Sequence, residues 1–189
     1  PVSSPPKTFN RERTDYFNAS CGLMTYRGLA LGEKYRGNAF VCEPLTNIVH
    51  RKILEQNGPL FVARRGETEQ EFLASSDNWT HPVFITMGPD DSLYIADFYR
   101  EWVEHPQFVQ EALRQGVDFR VGNQHGRIWR IRQKNSPPPS SPFSLSNLAT
   151  ADLAELLISG TGGNSKWTRE TSQRLLVERQ DLSVVPQLE

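Results

Sequence analysis

The sequence has few cysteines, no excess of charge of either sign and no long apolar run, and each of these features excludes a class of protein. Its 189 residues contain 21 lysines and arginines against 22 aspartates and glutamates, which gives a formal net charge of −1. A chain so balanced has no polybasic field for nucleic acid or for an anionic membrane. No apolar run approaches the roughly 20 residues that a membrane-spanning helix needs. We therefore expect no nucleic-acid partner and no transmembrane segment in this chain.

Only two cysteines are present, Cys21 and Cys42. Two cysteines at this spacing make neither a CxxC nor a CxxCH element, so no zinc knuckle and no covalently attached haem is built within the chain. One disulfide and two buried free thiols are both compatible with this count. The chain opens with Pro-Val-Ser-Ser-Pro-Pro and shows no signal-peptide pattern, so we expect it to be an internal piece of a larger protein.

Composition changes along the chain and predicts four segments. Residues 1–15 are rich in proline, serine and arginine and are expected to form an extended lead-in. Residues 16–132 carry short β-rich runs separated by glycine and proline. Residues 133–144 contain a run of proline and serine that is typical of a stiff polyproline linker. Residues 145–189 have helical character.

The first half of the β-rich segment predicts a four-stranded sheet. Residues 38–43 alternate between apolar and polar side chains, as a half-buried strand does, and further runs follow at 47–55 and 59–64. The Asn57-Gly58 pair between the last two runs is a strong hairpin indicator. An innermost strand near residues 23–27 completes a meander of four antiparallel strands.

The second half of this segment predicts a similar unit. Strands at 82–87 and 92–97 flank a Gly-Pro-Asp turn, an insertion with helical tendency covers 106–115, and another alternating strand covers 126–132. Strands arranged around tight turns in this way are typical of propeller blades, and two blades alone would leave unpaired sheets. We therefore expect a mainly β fold: a partial β-propeller of about two four-stranded antiparallel blades, with the rest of the ring outside this chain.

The C-terminal segment predicts a helical hairpin. One helix is expected through residues 151–158 and a second through about 165–180. A lone hairpin of this kind cannot bury both of its faces, which favours the start of a helical solenoid. The second helix places four less polar residues on one side: Trp167, Thr171, Leu175 and Leu176.

Long motifs in both parts carry a resemblance to a known family. They are Ala19-Ser20-Cys21-Gly22-Leu23, Tyr35-Arg36-Gly37-Asn38-Ala39-Phe40-Val41-Cys42-Glu43-Pro44, Gly88-Pro89-Asp90-Asp91-Ser92-Leu93-Tyr94-Ile95-Ala96-Asp97-Phe98-Tyr99-Arg100, Gly126-Arg127-Ile128-Trp129-Arg130-Ile131 and Trp167-Thr168-Arg169-Glu170-Thr171. Together they resemble the large membrane-bound dehydrogenases of planctomycetes and verrucomicrobia. The resemblance covers about residues 16–181.

This resemblance implies a fold, a cofactor and a location. The family is similar to the glucose/sorbosone dehydrogenase propellers that use pyrroloquinoline quinone with Ca²⁺. HEAT-like repeats follow the propeller, and usually a c-type cytochrome domain, whose haem would lie outside this chain. A periplasmic or cell-envelope location and a sugar or polyol substrate are implied, with the rest of the propeller and solenoid as partners. Because that location is oxidising, the resemblance also favours a disulfide between Cys21 and Cys42.

Polar residues next to the strand ends are the candidate site residues. Arg27 and Arg36 are suited to the carboxylates of a quinone or an acidic sugar, because a guanidinium binds carboxylates in a bidentate manner, and salt bridges between blades are the alternative. Asp97 is a candidate Ca²⁺ ligand and catalytic base, with capping of the following turn as the alternative. Tyr99 and Arg100 are assigned with the two arginines to cofactor binding.

His105 is a candidate general base because histidine titrates near neutral pH, and the alternative is a histidine hydrogen-bonded to loop backbone. Glu43 ends a strand and is expected to bind either a positive group or a neighbouring loop. Trp79, Trp102 and Trp129 are expected in the core or between blades rather than as platforms for sugars.

Three functional hypotheses follow. The first is part of an exported sugar or polyol dehydrogenase that passes electrons from a quinone to a haem domain outside this chain. The second is a non-catalytic propeller–solenoid scaffold that binds glycans or proteins. The third is a propeller hydrolase of the lactonase kind. The sequence leaves open whether the chain is an enzyme, because a fold does not fix a function.

Overall fold

The computed structural model describes residues 17–103, 105–135, 144–159 and 166–189, and these form two antiparallel sheets followed by C-terminal helices. The expected lead-in and most of the expected linker lie outside these ranges. Within them, neither sheet closes into a barrel. The mainly β character and the C-terminal helices agree with the expectation from the sequence.

The elements have the following bounds. The strands are β1 (Cys21–Thr25), β2 (Ala39–Glu43), β3 (Ile48–Asn57), β4 (Leu60–Arg65), β5 (Leu73–Ala74), β6 (Pro82–Met87), β7 (Leu93–Asp97) and β8 (Arg127–Ile131). The α-helices are α1 (Glu111–Arg114), α2 (Thr150–Ile158), α3 (Lys166–Arg179) and α4 (Val185–Leu188). Single 3₁₀ turns lie at Glu33–Tyr35, Pro44–Thr46, Pro106–Phe108, Leu145–Asn147 and Leu182–Val184. Among the helices described, none is both long enough and apolar enough to span a bilayer.

The first sheet has the predicted meander order β1-β2-β3-β4. The β3–β4 hairpin turns at Gly58-Pro59, between the paired strand ends Asn57 and Leu60, and Gly58 has a φ of 61° that suits a tight two-residue turn. A fifth strand, β5, pairs with the first half of β3 and was not predicted. Because β3 is ten residues long, it has room for β5 at one end and β4 at the other.

The second sheet has the order β6-β7-β8. It contains three strands in the described residues, so the expected four-stranded second blade is wrong in strand number. The described residues between β7 and β8, 98–103 and 105–126, form turns, one 3₁₀ turn and the short α1 instead of a further strand. The insertion with helical tendency was therefore predicted at the right place.

A bulge in β1 brings the backbones of the two sheets together. Cys21 pairs with Cys42 and Met24 with Phe40, so β1 has one more residue than β2 between these pairs. Gly22, in the bulge, has a φ of 59°, which is typical of a bulge that begins with a left-handed glycine. A Cβ atom on Gly22 would lie 2.8 Å from the Cα of Phe84 on β6. The position has room only for glycine.

Two compact units divide the chain. The first contains the described residues of Pro1–Tyr26, Gly37–Thr86 and Tyr94–Arg130, and therefore all of the first sheet and most of the second. Its core includes Phe40, which stacks edge-on against Tyr26 and Phe72 at 6.2 and 4.8 Å between ring centroids. The second unit contains Arg27–Arg36, Met87–Leu93 and the described residues of Ile131–Glu189. These units do not follow the sequence boundary at residues 133–144, which stays a prediction.

The second unit is organised around α2 and α3. Leu153 and Ala154 of α2 are fully buried. The most buried residues of α3 are Thr168 and Ser172, one turn apart. The four less polar residues that the sequence places on one side, Trp167, Thr171, Leu175 and Leu176, are all partly buried.

Candidate functional site

Asp97, at the end of β7, carries a carboxylate that is completely buried. Its Oδ1 accepts a hydrogen bond from the backbone N–H of His81 at 2.8 Å. Its Oδ2 accepts from the Trp129 indole at 2.9 Å and from Nε and Nη2 of Arg127 at 3.0 and 2.8 Å. A carboxylate is stable away from water only when such donors surround it. Asp97 thus joins the start of β6 to two residues of β8.

Arg127 is the positive partner of Asp97 and is held by aromatic rings as well as by hydrogen bonds. Its guanidinium carbon lies 3.6 Å from the centroid of the Tyr99 ring and 4.8 Å from that of Trp129. Cation–π contacts at these distances fix the plane of the guanidinium. Arg127 also donates to the Thr80 hydroxyl at 3.0 Å and lies 3.7 Å from a carboxylate oxygen of Asp77.

The outer side of this group faces solvent. Trp129 is 44% exposed, and the side chains of Asp77 and Arg127 are 42% and 33% exposed. A hydrogen bond with Asp77 raises the pKa of the Tyr99 phenol, so that the hydroxyl stays protonated. We call the seven residues of this group the Asp97 cluster: Asp77, Thr80, His81, Asp97, Tyr99, Arg127 and Trp129.

Comparison with known proteins places this cluster within a family. Residues 1–135 match the family model described as Domain of unknown function (DUF7133). The chain belongs to this family. Neither a curated protein nor a solved structure matches it. All seven residues of the Asp97 cluster lie in the DUF7133 region.

His81 is a member of the cluster that the sequence reasoning did not single out as a site residue. Its ring is buried, with Nδ1 lying 2.7 Å from the carbonyl oxygen of Pro44 and Nε2 lying 3.0 Å from that of Arg100. His81 therefore connects the 3₁₀ turn after β2 to the segment that follows β7. This histidine thus holds two loops of the first unit together.

Arg127 and Trp129 were also missed as site residues, although the alternating strand that contains them was predicted. Trp129 was expected to pack in the core or between blades, but its surface is 44% exposed in the structure. The available sequence indicator was the spacing itself, because residues two apart on a strand point to the same face. On one face of β8, Arg127 and Trp129 can contact each other, and both can donate to the carboxylate of Asp97 at the end of β7.

The predicted cofactor arginines belong to the second unit, where each has a carboxylate partner. Arg27 lies 2.9 Å from Glu170 on α3, with both side chains about half exposed. Arg36 lies 3.5 Å from Glu33, its neighbour in a 3₁₀ turn, and both are exposed. These contacts agree with the alternative that both arginines form salt bridges. The partners are Glu170 on a helix and the neighbouring Glu33, however, and not residues of a second blade.

Two further predicted residues have structural contacts in the first unit. The Arg100 guanidinium stacks on Phe98 at 4.3 Å, and its backbone N–H donates to the Trp79 carbonyl at 3.1 Å. His105 is exposed, and its Nδ1 accepts the Gln107 backbone N–H at 3.3 Å at the start of a 3₁₀ turn. These contacts favour the loop-backbone alternative for His105. Of the predicted catalytic and cofactor-binding residues, Asp97 and Tyr99 belong to the Asp97 cluster, and the others do not.

The contacts of Asp97, the predicted Ca²⁺ ligand, are with protein donors, and the Ca²⁺ and quinone site that the resemblance implies stays a prediction. Both oxygens of Asp97 already accept hydrogen bonds from protein donors, so neither is directed at a cation. Among the residues that the structure describes, no group of three or more histidines, cysteines, aspartates and glutamates could hold a metal ion. We therefore derive no step through a quinone or Ca²⁺ from these residues.

Glu43 and His50 are two buried titratable residues outside the cluster. Glu43 accepts hydrogen bonds from the Ala19 backbone N–H at 3.1 Å and from the Ser20 hydroxyl at 3.2 Å, so it binds a neighbouring segment, as one alternative stated. His50 is 2% exposed, and its Nδ1 lies 2.6 Å from Glu71. Both anchor the first sheet to adjoining segments.

Cys21 and Cys42 occupy paired positions on β1 and β2 and are free thiols in this structure. Burial, and the nearby Cys21, raise the pKa of the Cys42 thiol to about 12. Burial and the Glu43 carboxylate also raise the pKa of Cys21. The disulfide implied by the family resemblance stays a prediction.

Proposed function

We propose that this chain contributes a sugar- or polyol-binding surface to a propeller–solenoid protein, and that the Asp97 cluster is that surface. The observation that carries the proposal is that Trp129 is 44% exposed and lies next to the charged pair of Asp77 and Arg127. The second hypothesis from the sequence was a non-catalytic scaffold that binds glycans or proteins, and the exposed residues of the cluster support binding of a glycan.

The chemistry of the cluster suits a sugar. A sugar ring has an apolar face of C–H groups and a rim of hydroxyls, so it needs a flat apolar platform bordered by hydrogen-bonding groups. The indole of Trp129 supplies a rigid platform, because its N–H is already engaged by Asp97. Asp77 can accept from sugar hydroxyls, and the outer N–H groups of Arg127 can donate to them.

The buried part of the cluster supports binding rather than catalysis. A general base must have an oxygen within reach of the substrate proton, and a Ca²⁺ ligand must have lone pairs directed at the ion. Asp97 has used its oxygens on His81, Arg127 and Trp129. Its carboxylate therefore fixes Arg127 and Trp129 in place, and the preformed rim lowers the entropic cost of binding a sugar.

We extend the proposal to the architecture. The two antiparallel sheets would be two blades of a larger ring, with the tight turn between β6 and β7 as a blade turn. The α2–α3 hairpin would be the first of a series of HEAT-like repeats in an exported protein of the cell envelope. The quinone-dependent dehydrogenase remains the prediction from family resemblance, with a cofactor site built from other residues.

A binding titration tests the proposal. We expect the full chain to bind one or more members of a panel of neutral sugars, sugar acids and polyols, measured by calorimetry and by tryptophan fluorescence. Trp129→Ala is expected to weaken binding about tenfold, which corresponds to the loss of one aromatic platform. Trp129→Phe keeps a ring face and is expected to stay within about threefold of wild type.

Phe61→Ala is the matched control, because Phe61 is 68% exposed on β4, away from the cluster. It should leave sugar affinity unchanged. Binding to none of the panel, or equal loss in Phe61→Ala and Trp129→Ala, would overturn the proposal. Adding pyrroloquinoline quinone, Ca²⁺ and a redox dye to the same samples tests the dehydrogenase: sugar-dependent dye reduction would establish it, and lactone hydrolysis would point to the third hypothesis.

A further inference from the structure

The two cysteines lie directly opposite each other across two antiparallel strands. Cys21 on β1 and Cys42 on β2 are register partners. Opposite residues in such a pair have Cα atoms about 4.5 Å apart at a non-hydrogen-bonded position and about 5.5 Å apart at a hydrogen-bonded one. A disulfide accepts Cα separations of about 4.4–6.8 Å, so either kind of position suits it. Opposite side chains also share a face of the sheet, which directs both sulfurs to the same side.

We infer that Cys21 and Cys42 are an oxidisable dithiol that a small-molecule disulfide converts into a cross-strand disulfide, with Cys21 reacting first. The order of reaction follows from exposure. Cys42 is 0% exposed in the core of the first unit, whereas Cys21 is partly exposed at the beginning of β1. An oxidant reaches only Cys21 without opening the sheet.

The chemistry balances with the oxidant as the sole co-reactant. The Cys21 thiol loses its proton, and its Sγ attacks one sulfur of the oxidant RSSR, which breaks the S–S bond and releases one RS⁻. The Cys42 thiol then loses its proton and attacks Sγ of Cys21, which forms the protein disulfide and releases the second RS⁻. Each RS⁻ released from the oxidant takes up one of the two protons that the cysteines lost. Two electrons pass from the cysteines to the oxidant, which leaves as two RSH.

The raised thiol pKa values set the rate of this reaction rather than its outcome. The attacking species is the thiolate, and a raised pKa makes it scarce at neutral pH. We therefore expect oxidation to be slow near neutrality and to accelerate as the pH rises. The product ties β1 to β2 on the far side of the Gly22 bulge, where the regular ladder is interrupted.

The test uses the full chain, purified reduced and then incubated with excess oxidised glutathione at about pH 8. Intact mass and maleimide labelling after denaturation are the measurements. Wild type should lose two hydrogens and both reactive thiols without keeping glutathione. Its melting temperature should rise on oxidation, and this rise should be absent in Cys21→Ser.

The single variants report the order of attack. Cys42→Ser should keep one glutathione on Cys21, because no second thiol resolves it. Cys21→Ser should remain unmodified while folded, since Cys42 is buried. Circular dichroism confirms folding, and Cys42→Ala replaces Cys42→Ser if the serine variant unfolds. Two free thiols in oxidised wild type, disulfide-linked dimers as the main product, or faster modification of Cys21→Ser than of Cys42→Ser would each overturn the inference.

Discussion

Asp97→Ala is expected to lower the free energy of unfolding by about 3–5 kcal/mol. Removing the carboxylate of this ion pair leaves Arg127, and the other two groups that donate to Asp97, without their acceptor. The variant leaves the Trp129 indole N–H, the His81 backbone N–H and the inner side of Arg127 facing a small apolar group. Each donor that loses its acceptor carries its own desolvation cost in the folded protein. Urea denaturation followed by tryptophan fluorescence measures the loss, because Trp129 is one of four tryptophans whose surroundings change on unfolding.

An exposed ion pair of the same unit provides the control. Glu55 on β3 and Arg64 on β4 form a diagonal ion pair, with Arg64 Nε 2.7 Å from Glu55 Oε2, but their side chains are 49% and 67% exposed. Glu55→Ala is therefore expected to cost less than about 1 kcal/mol, since water screens such a pair. The contrast between the two variants isolates the effect of burial from the effect of losing a carboxylate.

A double-mutant cycle separates the Asp97–Arg127 pair from the rest of the cluster. Arg127→Ala alone should cost at least as much as Asp97→Ala, because it leaves the fully buried carboxylate of Asp97 with two neutral N–H donors and no positive partner. The coupling energy of the pair should be about 1–3 kcal/mol, as for residues in one hydrogen-bond network. If Asp97 were a catalytic base instead of an anchor, Asp97→Ala would fold with nearly wild-type stability, and that result would contradict the site described here.

The sequence was sufficient for those parts of the fold that depend on local chemistry. The β3–β4 hairpin was predictable because Gly58 accepts the positive φ that a tight two-residue turn needs, although the turn residues are Gly58-Pro59 rather than the predicted Asn57-Gly58. The strands β2, β6, β7 and β8 were predictable from period-2 alternation. The two-residue β5 was not, because it exists only through its pairing with the distant first half of β3. The burial of Thr168 and Ser172 on α3 was not predicted, because small polar residues carry no apolar pattern.

The site was predictable only as a location. Asp97 was recognised as an acidic residue at a strand end, but its role depends on Arg127 and Trp129, thirty and thirty-two residues further along the chain. No local pattern specifies which strand lies next to β7, so the partners of Asp97 are visible only in the fold. The same holds for the cysteines, because their pairing depends on the register that β1 and β2 adopt on either side of a long loop.

The bulge at Gly22 is expected to be the most sensitive backbone position of the first sheet. Gly22→Ala adds a Cβ at a left-handed φ of 59°, and that Cβ would lie 2.8 Å from the Cα of Phe84 and 3.1 Å from the Ile85 nitrogen. The φ alone costs about 1–2 kcal/mol for a residue with a Cβ. Moving backbone atoms of β6 adds about 1–3 kcal/mol more, as for other overpacked positions. The free energy of unfolding should therefore fall by roughly 2–5 kcal/mol.

Gly58→Ala separates these two contributions. Gly58 has nearly the same φ, 61°, but a Cβ there would meet nothing within 4 Å. This variant should lose only the conformational part, about 1–2 kcal/mol. Chemical denaturation of both variants under identical conditions gives the difference, which is the cost of separating β1 from β6. Equal losses in the two variants would mean that β1 and β6 can separate at Gly22 without a cost in free energy. The close approach of the two sheets would then not stabilise the first unit.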